Sequence, residues 1–401
     1  MVKQRLTIGI AGAGIGGLSA AAFLARQGHD VTVYDQFDEP GPVGSGLILQ
    51  ETGLAVLGEL GLRGAAEALG AELHRLHGIA KGTGRTVLDV RYSALRKRLR
   101  GVALLRPVLF ALVYEAARKA GATIEPKTRI INVSRADGLL TSGEGATLGV
   151  FDVIVDALGV RSPLSDLPRV KLPYGALWAT LPLPEDGAFR SGALEQRYDG
   201  ARKMAGVMPS GRATPEGPET ATYFWSIRAG DYAAWRALPL ADWKKQAVEL
   251  WPETERLLEP VTTHDHLTFA RYAHRTHWPV VEGRLVHLGD AWHATSPQLG
   301  QGANMALLDA LALSLALSVR GETHERLKEY HRMRVGHVRL FQAMSYLFTP
   351  VYQSDSTVLP WLRDWLAAPL SRVWPAPPLL AAMVSGALGA PLKKLHLKPA
   401  R

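Results

Sequence analysis

The chain of 401 residues contains no cysteine. This absence excludes a disulfide framework, a thiolate metal site, a cysteine nucleophile and the redox-active dithiol of disulfide reductases. Any redox chemistry therefore requires a bound cofactor. Histidine offers no clear substitute as a metal ligand, because alternating faces of strands account for the segments His264–His266 and His274–His277. We therefore predict no metal site.

Acidic residues are outnumbered by basic ones. The chain has 46 Lys and Arg against 37 Asp and Glu, which gives a net charge of +9. Such a charge suits nucleic acid, anionic lipid or an acidic partner. The basic clusters at Arg91–Arg100 and Lys393–Arg401 lack the interleaved aromatic residues of a single-strand binder. We therefore predict no nucleic-acid partner.

Long apolar runs are also scarce, and the one near the N-terminus has a specific explanation. Leu6–Ala25 carries no charge and is similar to a signal sequence or a membrane span, but neither would need glycine at positions 9, 12, 14, 16 and 17. We instead predict a βαβ unit in a cytoplasmic protein. Its parts are a strand over Leu6–Ala11, a tight turn over Gly12–Gly17, a helix over Leu18–Arg26 and a strand that ends at Asp35.

The predicted turn carries the glycine pattern of a dinucleotide-binding fold. Gly12 allows the turn, Gly14 lets the backbone approach a pyrophosphate, and Gly17 lets the helix pack closely on the strand. A carboxylate at the end of the second strand can accept a hydrogen bond from a ribose hydroxyl. The cofactor-binding residues predicted here are Gly12, Gly14, Ile15, Gly16, Gly17 and Asp35.

A second glycine-rich segment follows a predicted strand that ends in Gly289-Asp290. A loop containing Pro297 and the sequence Gly300-Gln301-Gly302-Ala303-Asn304 then lead into a long apolar helix. This segment resembles the second FAD motif of the single-component flavoprotein aromatic hydroxylases, the p-hydroxybenzoate hydroxylase family. The first glycine pattern and Arg106, in Leu105-Arg106-Pro107, fit the same family, and the resemblance extends from residue 1 to near residue 345.

The resemblance implies FAD as the cofactor and a role for each matching residue. Asp290 would bond the ribityl chain or a pyrophosphate-bound water, and the glycines at 300 and 302 would leave space beside the isoalloxazine ring. The helix near Gly302 would direct its free amides at the flavin N1/O2 edge. Pro297, whose carbonyl faces the substrate side of the flavin in the family, is the candidate catalytic residue. The cofactor-binding residues implied are Arg106, Asp290, Pro297, Gly300, Gly302, Ala303 and Asn304.

The family also implies the fold class, an α/β protein. We expect a Rossmann-like FAD-binding domain, an antiparallel β-sheet substrate domain and C-terminal helices. The C-terminal tail is apolar and contains tryptophan, so it fits a lid over the substrate sheet as well as an interfacial membrane contact. The predicted boundaries are 1–74, 93–165 and 276–345 for the discontinuous FAD-binding domain, 75–92 and 166–275 for the substrate domain, and 346–401 for the tail.

The resemblance predicts an FAD-dependent monooxygenase that hydroxylates an aromatic or polycyclic small molecule. The family uses O2 through a flavin C4a-hydroperoxide, with NADH or NADPH as the electron donor. The family's middle motif reads Asp-Gly followed by Arg-Ser, whereas Leu158 precedes Gly159-Val160-Arg161-Ser162 here. Because that motif serves both FAD and NAD(P)H, a separate reductase is an alternative source of electrons. The alternative functions are a reductase of a lipidic or isoprenoid substrate and a non-catalytic flavin-binding protein.

Overall fold

The computed structural model describes residues 5–38, 41 and 45–397. The first four residues of the predicted FAD-binding domain and the last four of the predicted tail lie outside the described residues. The strands are β1 (Thr7–Ala11), β2 (Asp30–Tyr34), β3 (Gly46–Leu49), β4 (Ala71–Leu73), β5 (Arg75–Ala80), β6 (Thr86–Arg91), β7 (Gly101–Leu105), β8 (Thr123–Glu125), β9 (Ile130–Ser134), β10 (Leu139–Ser142), β11 (Thr147–Val150), β12 (Val153–Asp156), β13 (Val170–Pro182), β14 (Ala193–Asp199), β15 (Lys203–Gly211), β16 (Thr220–Arg228), β17 (Thr268–His274), β18 (Val281–Glu282) and β19 (Leu285–His287).

Helices connect these strands and form the C-terminal part of the chain. The α-helices are α1 (Ile15–Arg26), α2 (Glu51–Glu59), α3 (Arg63–Leu69), α4 (Arg106–Lys119), α5 (Tyr232–Ala237), α6 (Leu240–Leu250), α7 (Glu255–Leu258), α8 (Asp290–His293), α9 (Gly302–Ser318), α10 (Thr323–Tyr352), α11 (Val358–Leu362), α12 (Ala368–Leu370), α13 (Ala376–Val384) and α14 (Pro391–Lys394). Short 3-10 turns include Gly159–Arg161, His264–His266 and Pro297–Leu299. The first histidine segment is therefore a turn rather than the strand predicted from its spacing.

A six-stranded sheet forms the predicted Rossmann-like part, with strand order β18-β19-β12-β1-β2-β8. All neighbours are parallel except β18 and β19, which form a hairpin. One face buries Ile8 and Ile10 against α1 and α9, and the other packs Ile154 against the β9–β11 meander. Because both faces are covered, the strands are apolar nearly throughout, as expected for a buried parallel sheet.

Helix α1 begins at Ile15, three residues before the predicted start. The amide of Leu18 already donates to the carbonyl of Gly14 at 2.9 Å, so the second half of the glycine pattern forms the first turn of the helix. The turn prediction was wrong for residues 15–17. Glycine has a low helix propensity in isolation, but the close approach of α1 to the sheet offsets this preference.

A seven-stranded sheet forms the predicted substrate part, with order β17-β13-β16-β15-β14-β5-β6. Its pairs are antiparallel, as predicted, except that β14 and β5 are parallel. A parallel pair requires a long connection between its two strands. Strands β5 and β14 have one, because the β5–β6 hairpin precedes β14 by a long stretch of chain. Tyr223 and Trp225 face a tryptophan-rich core under α5–α7, whereas Phe224 packs on the opposite face with Tyr198.

A small sheet of β3, β7 and β4 joins the two larger sheets. Beside it lies a set of apolar side chains from the small sheet, the large sheet and the tail, which we call the central apolar cluster. The large sheet contributes Met208, and the loop after Pro297 contributes Leu299. The buried members are Ile48, Leu73, Leu76, Val90, Tyr92, Leu99, Ala103, Met208, Ala381, Met383 and Val384.

The C-terminal tail has a buried part and an exposed part. Helix α13 buries Ala381, Met383 and Val384 in the central apolar cluster, as a lid would. The preceding segment exposes large apolar side chains, including Trp361 and Trp374. Among the described residues, no helix has the length and apolar character needed to cross a bilayer.

Candidate active site

Four neighbouring strands of the parallel sheet end at one edge, and each is followed by a predicted functional segment. Strand β1 leads into the Gly12 turn, β2 into Asp35, β12 into Leu158 and β19 into Gly289 and Asp290. Ligands of open α/β sheets bind outside the carboxyl ends of the strands. The structure therefore brings the two glycine-rich segments and the middle motif to one common edge.

The glycines of the first segment differ in what surrounds them. Gly12 has a φ of +106°, and a Cβ there would lie 2.6 Å from the carbonyl oxygen of Ala157. A Cβ on Gly17 would lie 2.1 Å from the carbonyl oxygen of Gly12, so the close packing predicted for this position is present. A Cβ on Gly14 would meet nothing within 4 Å. Gly14 thus borders open space, as a site for a pyrophosphate requires.

Two helices begin at this edge, and no side chain of the described residues caps the first amides of either helix. Helix α1 starts after Gly14, and α9 starts after Gln301. A Cβ on Gly16 would meet Leu288 at 2.6 Å and Ala306 at 3.3 Å, which shows how closely α1 packs on β19 and α9. Helix N-termini carry partial positive charge and unpaired N–H groups. Both helices are therefore oriented to bind anionic groups at the same edge.

The charged residues predicted for the cofactor lie at strand ends or helix starts. Asp35 is half-buried, and its Oδ2 accepts the amide of Ala13 at 2.8 Å, which ties the end of β2 to the glycine turn. Asp290 is exposed at the start of α8, and Arg106 is exposed at the start of α4. Asp35 thus lies beside the glycine turn that precedes α1, while Asp290 and Arg106 each lie at the first residue of a helix.

Asn304 has a different position from its predicted neighbours, because it is fully buried. Its Oδ1 accepts the amide of Gln50 at 2.8 Å, and its Nδ2 donates to the carbonyl of Ile48 at 2.9 Å. The side chain therefore clamps the β3–α2 junction to α9. By contrast, Gly302 is exposed and Ala303 half-buried at the helix start, where a ligand can approach the backbone.

The Pro297 loop is tied to α10. The Pro297 carbonyl accepts the amide of Gly300 at 2.9 Å, and Gly300 then takes the left-handed conformation at a φ of +62°. The hydroxyls of Ser296 and Thr349 share a hydrogen bond of 2.5 Å. A Cβ on Gly300 would meet nothing within 4 Å, so the loop presents an open face beside the central apolar cluster.

A buried carboxylate, Asp309 on α9, organises the second glycine-rich segment. It accepts the amide of Gly289 at 3.0 Å, the Nε2 of His293 at 2.6 Å and the Nε of Arg334 at 2.7 Å. Burial alone would raise the pKa of Asp309, but His293 and Arg334 hold it below its ordinary value. His293 is thus a buried partner of this carboxylate.

The same network extends to the tail through His337. Arg334 donates to His337 Nδ1 at 3.0 Å, and His337 Nε2 lies 3.3 Å from the carbonyl of Gly386. These partners require a neutral imidazole that accepts at Nδ1 and donates at Nε2. Burial, together with the charge of Arg334, lowers the pKa of His337 to about 3.

The middle motif keeps its turn although Leu158 replaces the family's aspartate. Asp156, two residues earlier and fully buried, accepts the amide of Leu158 at 3.1 Å and the hydroxyl of Ser162 at 2.7 Å. It also lies 2.8 Å from Nδ1 of His287. Sequence analysis did not single out Asp156, although an aspartate at the end of a buried strand is an unusual residue that could have signalled it.

His277 and His287 meet across a carboxylate at the outer strands of the parallel sheet. His277 Nε2 lies 3.1 Å and His287 Nε2 3.3 Å from Oε1 of Glu282. The interpretation of His277 as a residue on an alternating strand face was wrong, because β17 ends at His274 and the chain then turns toward the β18–β19 hairpin. The three residues could together hold a metal ion, which sequence spacing did not indicate.

These features define a class of protein, one that binds a dinucleotide between two helix N-termini at the edge of a parallel sheet. The comparisons with known proteins give the family. Residues 5–143 and 204–343 match the family model described as "FAD binding domain", and the chain belongs to this family. The predicted family and fold class are confirmed.

Relatives cover almost the whole chain. A probable 2-heptyl-3-hydroxy-4(1H)-quinolone synthase of Rhodococcus erythropolis is 27% identical, over 99% of this chain and 98% of its own length. An aurachin C monooxygenase/isomerase of Stigmatella aurantiaca is 26% identical, over 92% of this chain and 96% of its own length. The structure of Klebsiella pneumoniae HpxO complexed with FAD and uric acid is similar with a TM-score of 0.78 at 20% identity, over 96% and 98% of the two chains. The relatives agree with the predicted FAD-dependent monooxygenase.

The first prediction concerns the two segments at the sheet edge. We expect Gly14→Val and Asp290→Ala each to weaken FAD binding about tenfold or more, because the first fills the space of the pyrophosphate and the second removes a charged hydrogen-bond partner worth about 1.5–3 kcal/mol. Equilibrium titration of the apoprotein with FAD, followed by flavin fluorescence, measures the change in Kd.

The stability of the same apoproteins provides the control. Gly14→Val and Asp290→Ala should unfold in urea at the wild-type midpoint, because both positions border open space or solvent. Gly17→Ala should lower the midpoint, because its Cβ would clash with the Gly12 carbonyl. Unchanged FAD affinity in both of the first two variants would show that the cofactor lies elsewhere.

The second prediction concerns His337. Its pKa is about 3 in the folded protein against an ordinary value of 6.5, so between these values the unfolded chain binds a proton that the folded chain does not. The free energy of unfolding should therefore fall as the pH falls through this window, by up to about 1.4 kcal/mol per pH unit from this residue. Urea unfolding from about pH 7 to about pH 5 should show a smaller slope in His337→Gln.

An exposed histidine serves as the comparison for this slope. His74→Gln removes a histidine with a side chain that is 61% exposed, and it should leave the wild-type dependence on pH unchanged. Equal slopes in the wild type and in His337→Gln would contradict the assignment of a neutral, buried His337.

Proposed function

We propose that this protein uses FAD, O2 and NAD(P)H to hydroxylate an aromatic or heteroaromatic small molecule that carries an apolar substituent. The observation that carries the proposal is the central apolar cluster. Side chains of the large sheet and of α13 form this cluster, and Leu299 of the Pro297 loop packs against it. An apolar molecule seated there would lie next to the helix start that the family uses for the flavin.

The names of the relatives support a narrower substrate class, the 2-alkyl-4(1H)-quinolones. One relative is a probable 2-heptyl-3-hydroxy-4(1H)-quinolone synthase, and it matches nearly the full length of the chain. A heptyl chain needs an apolar lining, which the central apolar cluster offers with Leu76, Val90 and Met208. The carbon between the carbonyl and the alkylated position of a 4-quinolone is electron-rich, so it suits attack by an electrophilic oxygen.

The residues at the sheet edge fit FAD. Gly14 leaves space for the pyrophosphate, and the free amides at the start of α1 would bind its charges. Asp35 would accept a hydrogen bond from the adenosine ribose, and Asp290 would bond the ribityl chain. Arg106 and the start of α9, with Gly302 and Ala303, would hold the isoalloxazine end. Asn304 would act through the β3–α2 junction that it clamps.

The protein's contribution to the reaction is orientation, charge stabilisation and exclusion of water. Reduced FAD supplies the activation of O2 and the transfer of one oxygen atom, while the second atom leaves as water. The first amides of α9 would favour negative charge at the pyrimidine edge of the cofactor. Met383 and Val384 of the tail would shield the reacting atoms from bulk water. The Pro297 carbonyl would border the substrate side.

We propose NADH or NADPH as the electron donor, despite Leu158. Asp156 maintains the turn of the middle motif, and Arg161 keeps its place in that turn. Relative to the family's aspartate, Leu158 lacks a carboxylate at a half-buried position of the turn. Reduction by a nicotinamide should therefore be retained but slow, and a separate reductase is the alternative.

The third prediction tests both the electron donor and the role of Leu158. Anaerobic mixing of the holoenzyme with NADH or NADPH, with and without 2-heptyl-4(1H)-quinolone, should reduce the flavin, faster when the quinolone is bound. Leu158→Asp should accelerate reduction several-fold, because it restores the family's carboxylate. Leu158→Asn, which adds a polar group without charge, is the matched control and should have a smaller effect.

Each result separates the proposed function from an alternative. If no nicotinamide reduces the flavin but dithionite-reduced enzyme hydroxylates the quinolone in O2, a separate reductase supplies the electrons. If chemically reduced enzyme leaves phenols, quinolones and polycyclic aromatics unchanged in O2, the monooxygenase proposal is wrong. Consumption of an isoprenoid double bond by the reduced enzyme without O2 would favour the lipid reductase.

We further propose that the exposed part of the tail contacts an anionic membrane surface. Trp361 is 59% exposed and Trp374 82% exposed, and tryptophan suits the boundary between lipid and water. Basic side chains lie in the same region: the guanidinium of the half-buried Arg85 lies 4.1 Å from the centre of the Trp365 ring, and Arg372, two residues before Trp374, is exposed. Such a surface would bring an alkylated substrate from the membrane to the adjacent α13 lid.

The fourth prediction follows from this surface. The protein should co-sediment with vesicles that contain phosphatidylglycerol and release as salt rises, since exposed charges are screened within about 10 Å at 0.1 M salt. A Trp361→Ser, Trp374→Ser double variant should lose most of the binding. Trp278→Ser, at an exposed tryptophan outside the tail, is the control and should bind normally. Failure to bind anionic vesicles at low salt would contradict the proposal.

A further inference from the structure

We propose that His277, Glu282 and His287 form a binding site for a divalent cation of the zinc class. The three ligand atoms lie within 4.8 Å of one another. His277 is 3% exposed and His287 is fully buried, while the Glu282 side chain is 20% exposed. Two imidazoles and one carboxylate form a ligand set that binds zinc and leaves a fourth position for water.

The spacing between the ligand atoms agrees with coordination to one ion. Zinc lies about 2.0–2.1 Å from imidazole nitrogen, so neighbouring ligands of a tetrahedral site are about 3.3 Å apart. Oε1 of Glu282 lies 3.1 Å from Nε2 of His277 and 3.3 Å from Nε2 of His287. All three ligand atoms lie within 4.8 Å of one another, so the side chains would shift to close around one ion.

Each ligand is held by a separate partner on its other atom. His277 Nδ1 lies 2.6 Å from the hydroxyl of Ser165, and His287 Nδ1 lies 2.8 Å from the carboxylate of Asp156. Oε2 of Glu282 lies 3.0 Å from Nε of Arg135. Metal-binding histidines characteristically donate their second N–H to a carboxylate or hydroxyl, which orients the ring toward the ion. Both histidines would present Nε2 to the ion in this way.

The partners also pose a problem that a cation resolves. His287 lies between two carboxylates, Asp156 at Nδ1 and Glu282 at Nε2. A neutral imidazole can donate to only one of them, so the other contact needs a second proton or a metal ion. With a cation bound at Nε2, the single remaining N–H of His287 would donate to Asp156. A proton at the same position is the competing occupant.

The site would connect the chain segments that lead to the carboxyl-end edge of the parallel sheet, where we propose that FAD binds. Glu282 and His287 belong to the β18–β19 hairpin, and His277 to the loop that precedes it. Asp156 holds the turn of the middle motif, and Asp290 follows His287 by three residues. A bound ion would thus fix the strand ends from which both segments extend. Glu282 and Arg135, which are partly exposed, would mark the entry route.

The experiment measures zinc binding to the FAD-loaded protein, with any histidine tag removed. Isothermal titration at pH 7 should show one Zn²⁺ per chain, and the melting temperature should rise by several degrees. Co²⁺ should bind at the same stoichiometry and give d–d absorption of a four-coordinate ion, at wavelengths longer than the flavin bands. Glu282→Gln should abolish both signals, and Ser165→Ala should weaken binding about tenfold or more.

His74→Gln is the matched control, because it removes an exposed histidine that faces a single carboxylate, Glu72, at 3.6 Å. This variant should bind Zn²⁺ as the wild type does. Far-ultraviolet circular dichroism and FAD content show whether each variant is folded. A wild-type protein that binds no Zn²⁺ at micromolar concentration would overturn the proposal and leave a proton as the occupant. Binding that survives in folded Glu282→Gln, or that His74→Gln removes, would overturn it as well.

Discussion

The carboxylate of Asp309 is the contact on which the candidate active site most depends. It is fully buried, yet it accepts hydrogen bonds from the Gly289 amide, His293 and Arg334, so its charge is neutralised within the core. Gly289 lies between β19 and α8, His293 is the last residue of α8, and Arg334 belongs to α10. Loss of one partner of such a buried group costs about 3–5 kcal/mol, because the remaining charge cannot reach water. The position of Asp290 and the start of α9 are therefore set by one charged centre.

Through Arg334 and His337 the same centre reaches Gly386, two residues after the end of α13, and so helps to hold α13 on the central apolar cluster.

This arrangement explains how the sheet edge and the apolar cluster work together. Parallel strands aim the glycine turn, the middle motif and Asp290 at one edge, where two helix N-termini favour the negative charges of a dinucleotide. The Pro297 loop then packs Leu299 against the central apolar cluster, which contains side chains of the large sheet and of α13. Under the proposed function, a polar cofactor and an apolar substrate would have adjoining sites in one chain. Trp361 and Trp374, on the exposed part of the tail, are the residues of the proposed membrane contact.

The sequence predicted the features that depend on local pattern, and it missed those that depend on distant contacts. The glycine turn, the strands of the large sheet and the start of α9 at Gly302 follow from spacing and from the family's motifs. Sequence spacing placed the start of α1 three residues too late, because tertiary packing allows glycine in the first helical turn. Asp156 and His287 are 131 residues apart, so no local pattern shows that they meet. The same holds for His277 beside the β18–β19 hairpin. Burial of α13 could not be predicted either, since its apolar side chains suit a lid and a membrane surface equally well.

We expect this protein to transfer one oxygen atom from O2 to an aromatic ring. The most direct measurement is the mass of the product formed from 2-heptyl-4(1H)-quinolone, NADPH or NADH and ¹⁸O2 in ordinary water, with the reverse labelling as the complement. One ¹⁸O atom should enter the product from ¹⁸O2 and none from H2¹⁸O. Consumption of nicotinamide with release of only hydrogen peroxide for every aromatic tested, or a product oxygen taken from water, would contradict monooxygenase activity.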